Sequence, residues 1–289
     1  FRLTHNEFDT PDEYESNPLL VNGRFDFTPA HESPEGPSLG PSGPCGCPTP
    51  NHIRKPSGCV SVYDNMLDIW EGVREVKVIV SKSRLFGLIF NRSDYTDAQG
   101  CWMIDHKYHG KIHVWVKFES ATCNIKTMTW GGDLWGYTFP RRAYIGKFNG
   151  PNFNNLSIAF DWTSSIDSKK FRNWVASTTN NSVYEFQAYL TLQKINEMPP
   201  GNLKILITPW GDENTGAAPM LDKFSILPQI VLYSSATGIL AAFGVLGPAG
   251  VAASIAFSSW IVAAAPDLVL NTNESDQVNA DDIREILYH

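Results

Sequence analysis

Three histidines, His106, His109 and His113, stand close together in the chain. Imidazoles at short spacing suggest a metal centre, which needs several nitrogen or sulfur donors within a few ångströms of one ion. The flanking residues argue otherwise. Ile112, Val114, Val116 and Phe118 alternate with Lys111, His113, Trp115, Lys117 and Glu119, the period-2 pattern of a half-buried strand. On that strand only His109 and His113 share a face, and they lie about 13 Å apart along it. They read as solvated or edge histidines. Cys45-Gly46-Cys47, with Cys59 and His52 further on, gives a second candidate set. Zinc-binding pairs usually enclose two to four residues, and the inner spacing here is shorter, so these cysteines read as loop thiols.

No G-x-S-x-G elbow, H-E-x-x-H helix or phosphate-binding loop occurs in the sequence, so the familiar carriers of nucleophilic, zinc-peptidase and nucleotide chemistry are missing. Asp161 and Asp167 flank Ser164 and Ser165, where loop capping accounts for them better than an acid–base pair. Asn180-Asn181-Ser182 fits a glycosylation sequon, which matters only in a secreted chain. The expectation is a protein that is not an enzyme, with no cofactor and no metal.

The 289 residues carry a formal net charge of −7. That balance disfavours a free-standing nucleic-acid binder, which needs clustered Lys and Arg. Hydrophobic residues make up 43% and charged residues 18%, which allows a full core. The nine tryptophans suit sheets and large interfaces. The five cysteines are scattered, unlike a secreted disulfide framework, and predict thiols in a reducing compartment. The chain opens on Phe1 with no charged segment leading into an apolar one, so no signal peptide is visible and proteolytic release or truncation is expected.

The elements follow from patterning. Residues 1–58 are rich in Pro, Gly, Ser and acidic groups without periodicity and read as an extended arm. One helical turn is plausible over 61–70. Strands are expected over 74–82, 85–90, 111–119, 125–130, 156–162, 171–176, 183–194 and 203–208, with extended chain over 134–139 and a polar loop over 91–100. Val183–Trp210 reads as a closing hairpin: Tyr184, Phe186, Ala188, Leu190 and Leu192 alternate with polar residues, and Pro199-Pro200-Gly201-Asn202 turns the chain. The expected fold class is therefore all-β: an eight-stranded antiparallel jelly-roll sandwich at 59–225, with an α-helical C-terminal extension at 226–289. Between Thr237 and Asp267 the extension carries no charge. It reads as an apolar helical hairpin bent at Gly247-Pro248, followed by a short helix capped by Asn279. Ile239, Leu240, Phe243, Leu246, Val251, Ile255, Trp260 and Ile261 are its candidate contacts with a partner or a membrane.

Three stretches resemble picornavirus-like capsid proteins. Tyr108-His109-Gly110-Lys111-Ile112-His113-Val114-Trp115-Val116-Lys117-Phe118 resembles their aromatic-x-Gly-x-hydrophobic strand, and Ile158-Ala159-Phe160-Asp161-Trp162 a later strand. The closing hairpin followed by Trp210-Gly211-Asp212-Glu213 is similar to their final strand pair and acidic exit loop. With its helical extension, the chain resembles the Nora virus capsid type. The resemblance implies a structural subunit of an icosahedral RNA-virus shell, assembled in the host cytoplasm with other capsid proteins. Genomic RNA would be enclosed with little direct binding, and the C-terminal helices would project toward subunits, a receptor or a membrane. Two alternatives stand beside it: a lectin-like binding module using Trp130, Trp135 and Tyr137 to stack on sugar, and a membrane-active protein using residues 230–265.

Overall fold

The computed structural model describes residues 20–21, 24–25, 47, 54–83, 89–129, 134–150, 153–164, 168–195, 201–209, 266–272 and 278–288. In chain order the strands are β1 (Leu20–Val21), β2 (Arg24–Phe25), β3 (Ser57–Asp64), β4 (Ile69–Gly72), β5 (Lys77–Ser83), β6 (Ile89–Tyr95), β7 (Cys101–Met103), β8 (Lys111–Lys117), β9 (Cys123–Thr127), β10 (Arg142–Asn149), β11 (Leu156–Phe160), β12 (Leu203–Thr208) and β13 (Leu268–Asn271). The helices are α1 (Leu134–Thr138), α2 (Lys169–Leu192) and α3 (Ala280–Tyr288).

Two sheets form a sandwich. One has the order β10-β8-β5-β6; the other has the order β11-β3-β4, with β7 also paired to β3. Alternation drives their contact. Val78 and Val80 from β5 and Ile112, Val114 and Val116 from β8 point inward and are fully buried. They share one apolar cluster with Val60, Val62, Ile158 and Phe160 of the opposite sheet. Each such side chain contributes about 1.5–3 kcal/mol by leaving water. A third sheet, of order β13-β12-β9, is parallel throughout. Its short apolar strands need cover on their faces. Helix α2 packs against β9 and β12, and Ile125, Ile205, Phe171 and Trp174 join the same core.

The chain is thus sheet-rich, with several sheets that include a β-sandwich. All-antiparallel pairing is corrected by the parallel ladders β11–β3, β12–β9 and β12–β13. The strands expected at 171–176 and 183–194 are one helix, α2, so Val183–Trp210 is not a hairpin. Buried Phe171, Trp174, Val175, Thr178 and Ser182 recur at helical spacing. Ser168 caps the helix, accepting a hydrogen bond from the Phe171 amide at 3.0 Å. The middle of α2 is polar yet buried: Ser177 and Ser182 donate to the Asn173 and Thr178 carbonyls one turn back, and the sandwich supplies partners to Asn180 and Asn181. Asn180 Nδ2 donates to the Arg74 carbonyl at 2.6 Å, and Asn181 Nδ2 donates to the Gly72 carbonyl at 2.9 Å. The alternation over 184–192 covers only the last turns of a helix that begins at Lys169.

Smaller differences have local causes. The turn expected over 61–70 is the end of β3, a loop and β4; Asp64 Oδ1 accepts from the Met66 and Leu67 amides at 2.9 and 3.0 Å and folds the chain back. Leu134–Thr138 is helical rather than extended. β6 runs into the expected polar loop because it is an edge strand, paired only to β5, and its side chains from Asn91 to Ser93 are exposed. The short helix capped by Asn279 is present: Asn279 Oδ1 accepts from the Asp282 amide and Asp282 Oδ2 from the Asn279 amide. β13, a strand, lies within the stretch expected to be helical. The apolar hairpin and its eight candidate contact residues lie outside the described residues. Among the described residues no helix is long and apolar enough to cross a membrane.

The cysteine expectation is corrected as well: Cys47 and Cys101 form a disulfide, while Cys59 and Cys123 are buried thiols. An odd count hides one pair as easily as none.

Arg284 on α3 ties the layers together. It is 5% exposed, and its guanidinium lies 2.6 Å from Asp64 Oδ2 and 2.7 Å from Asp281 Oδ1, with Glu71 at 3.8 Å and Glu185 at 3.9 Å. Burial alone would raise the Asp64 carboxyl, but Arg284 and the Leu67 and Met66 amides outweigh it and hold it below the ordinary range. Removing the closest anion leaves a buried cation poorly matched, at a cost of about 3–5 kcal/mol. Asp64→Ala is therefore expected to lower the free energy of urea unfolding by about that amount at pH 7. Because the folded carboxyl titrates below the unfolded value of about 3.9, its contribution is complete above that value and fades as pH falls through the folded one. The difference between wild type and Asp64→Ala should accordingly shrink in acid. Equal stability at pH 7 would contradict the assignment.

Candidate functional site

The alternation that sends Ile112, Val114 and Val116 inward sends His113, Trp115 and Lys117 to the outer face of β8. Register then builds a surface around Trp115, which sits opposite Tyr144 of β10 and Ile79 of β5. The β8–β10 ladder shifts between Tyr144 and Gly146. Tyr144 and Lys147, three apart, consequently face Trp115 and His113, two apart, so one bulge turns both side chains outward. Gly146 permits it with a φ of 154°.

The rings form one group. Trp115 and Tyr144 have centroids 5.3 Å apart, and His113 stacks on Trp115 at 5.7 Å and on Tyr144 at 6.0 Å. His113 Nδ1 and the Tyr144 hydroxyl are hydrogen-bonded at 2.9 Å. The Arg142 guanidinium carbon lies 4.6 Å from the Trp115 centroid, a cation–π contact of about 0.5–1 kcal/mol at an exposed site. Tyr144 is 55% exposed. Lys111, Arg142 and Lys147 are exposed around the rings, and Lys77 lies over Tyr95 at 5.4 Å toward the β6 edge of the sheet. Lys117 is ion-paired with Glu119. The result is a cluster of stacked and tilted rings, half-buried at His113 and Trp115 and exposed at Tyr144, with a cationic rim.

The other candidates fare differently. His106 packs edge-on against Tyr108 at 5.0 Å, His109 Nδ1 is bonded to Arg54 at 2.8 Å, and only His113 joins the rings. Among the described residues no three His, Cys, Asp or Glu side chains could hold one metal ion. Cys47 is committed to its disulfide, and Cys45 and His52 lie outside the described residues. Asp161 pairs with Lys170 at 3.1 Å. The proposed sugar platform of Trp130, Trp135 and Tyr137 is corrected at Tyr137, which is fully buried; burial pushes its hydroxyl up to about 12. Trp130 lies outside the described residues, as does the Trp135 side chain. An open cleft of about 690 Å³ holds Glu75 and Glu119 beside Ser120, Asn124 and Asn202. Glu75 accepts from the Thr122 hydroxyl at 2.8 Å, and Glu119 pairs with Lys117. Trp115 falls on the polar side of its strand in sequence and in structure, but alternation alone does not mark it as part of a site. A tryptophan among lysines on an outward face was the available signal; Arg142 and Tyr144 lay on a stretch given no strand.

Lys126 on β9 is a buried cation, 3% exposed, and lies 5.5 Å from the Tyr137 ring centroid. Burial pulls its ammonium down to about 8, with Lys204 acting the same way and Asp267 opposing. The unfolded lysine titrates at about 10.4. Between those values the unfolded state binds more protons, so stability rises with pH. Lys126→Met is expected to abolish that rise in urea unfolding measured from pH 7.5 to 10.5; an unchanged slope would contradict it.

No family model matches this chain, and no curated protein does. Among solved structures, a 9R-lipoxygenase from Cyanothece PCC8801 is similar to it at 12% identity with a TM-score of 0.20, over 52% of this chain and 25% of that one. The chain spans about a quarter of that protein, and the likeness carries no argument about fold or activity.

Proposed function

We propose that this chain is a binding module whose outer sheet face takes an acidic polysaccharide. One observation carries the reading: Arg142 lies over Trp115 beside the exposed Tyr144 and the half-buried His113. Aromatic planes offer flat apolar surface to the C–H faces of sugar rings, and Tyr and Trp combine that surface with a polar tip. Arginine recognises carboxylate and sulfate oxygens through paired hydrogen bonds. The side chains are held by neighbours before a ligand arrives, which lowers the ordering cost of binding. Lys111, Arg142 and Lys147 make this face locally attractive to anions, within a chain whose formal net charge is −7. We take the Cys47–Cys101 cross-link as favouring an oxidising compartment over the host cytoplasm. Of the three stretches that resemble picornavirus-like capsid proteins, two carry strands β8 and β11 and the third carries helix α2 and strand β12 in place of a closing hairpin; a subunit of an icosahedral shell is the second reading.

Affinity electrophoresis in gels containing polygalacturonate, alginate or heparin, with dextran as the neutral comparison, tests it. The wild type should be retarded by an acidic polymer and released by salt. Trp115→Ala should weaken binding tenfold or more, as loss of a central aromatic anchor does, without changing thermal stability greatly. Unretarded migration of the wild type in all three acidic gels would overturn the proposal, as would full retardation of Trp115→Ala.

A further inference from the structure

The register of the outer sheet puts three cations in one line. Lys117 of β8 stands opposite Arg142 of β10 on one side and opposite Lys77 of β5 on the other. Lys77 in turn stands opposite Tyr95 of β6. The cations point outward because their chain neighbours Val116, Ala143 and Val78 are buried in the core. The row runs across the strands and spans three strand spacings, about 14 Å. Like charges directly opposite one another destabilise a sheet, and this row holds two such pairs in succession. Among the described residues one carboxylate answers them, that of Glu119, which is ion-paired with Lys117. The outer two cations rest on rings instead: Arg142 over Trp115 at 4.6 Å and Lys77 over Tyr95 at 5.4 Å. Tyr95 is 46% exposed. The next row on the same face is uncharged: Tyr144, Trp115, Ile79 and Ser93 are partners in register. An apolar row therefore lies beside a cationic one, both crossing the strands.

We propose that the acidic polysaccharide lies across the strands along these two rows, and that Lys77 and Tyr95 form a second subsite beyond the rings around Trp115. This inference rests on the polysaccharide reading of that face. A chain of uronate rings offers apolar C–H faces and a line of carboxylates. The apolar row takes the faces, and the cationic row takes the carboxylates. Trp115 and Tyr95, two strands apart, hold different sugars of one chain, and each ring has a cation beside it to meet the acid group. Bound carboxylates also neutralise the facing cations that the sheet tolerates at a cost. Lys117 is the centre of the row and the point of competition: a ligand carboxylate reaches it by displacing Glu119. Tyr95 and Glu119 both line the open cleft next to the row, which gives the Glu119 side chain room to turn away. The direction and minimum length of the ligand thus follow from strand register.

Isothermal titration calorimetry of the full chain with digalacturonate and hexagalacturonate tests this. Tyr95→Ala and Lys77→Gln should each weaken the hexasaccharide about fivefold, as loss of one effective interface side chain does, and leave the disaccharide unchanged. Trp115→Ala should weaken both ligands. Glu119→Gln should strengthen the hexasaccharide about two- to fivefold, the scale of an exposed ion pair. Lys77→Gln removes one facing pair of like charges, so its thermal midpoint should stay level or rise; a merely structural role for Lys77 would lower the midpoint. An unchanged hexasaccharide affinity in both Tyr95→Ala and Lys77→Gln, or equal losses for the two ligands, would overturn the second subsite and leave the Trp115 reading standing. Failure of the wild type to bind either ligand would overturn both.

Discussion

A buried guanidinium holds the architecture in register. Arg284 reaches from α3 to Asp64 at the end of β3, to Glu71 on β4 and to Glu185 on α2, so one cation contacts the sandwich and the helical layer together. Its desolvation is unfavourable, but the surrounding carboxylates outweigh it and hold the guanidinium charged. Arginine suits this place because its planar fork serves several acceptors while remaining cationic, which the single ammonium of lysine does not do. Glu185 is shared with Arg74 at 3.0 Å, which extends the charge network to the loop before β5. The same loop receives Asn180 and Asn181 from α2. Polar groups that would prevent a helix from burying its centre thereby become the means of attaching it.

Once that junction is set, the rest follows from two periodicities. In the sandwich, period 2 commits one side of β8 to the core and the other to the surface. Trp115 and His113 are outward because Val114 and Val116 are inward; the aromatic face is a consequence of the core. The bulge at Gly146 is the local device that completes it, since a regular ladder would place Lys147 on the opposite side from Tyr144. In the helical layer, the 3.6 period of α2 presents Phe171, Trp174 and Val175 to the same apolar cluster that the sandwich fills from its other side.

About half of the sandwich strands, and strand β12 of the parallel sheet, were legible in the sequence. The strands around Val78, Val114, Ile158 and Ile205 were readable because their alternation or apolar run is long and uninterrupted, and the α3 cap because Asn279 precedes two acids. α2 was not readable as a helix. Its centre, Ser177 to Ser182, consists of residues that favour caps and turns over helix interiors, and the partners of Asn180 and Asn181 come from residues more than a hundred positions earlier. The parallel sheet was hidden for a related reason: β9, β12 and β13 are distant in sequence, and nothing local distinguishes a parallel partner from an antiparallel one. The disulfide paired cysteines with no shared motif. Trp115 was seen on the right face, yet Arg142 and Tyr144, which give it meaning, come from a strand interrupted by a glycine bulge.

The proposed ligand face is the group of rings around Trp115. The most direct measurement is an NMR titration of the chain with oligogalacturonate, following the tryptophan indole N–H resonances and the arginine Nε–H resonances. The prediction is saturable shifts at Trp115 and Arg142, with Trp174, which is fully buried, unmoved. Saturable shifts confined to other residues, or none at any concentration, would contradict it.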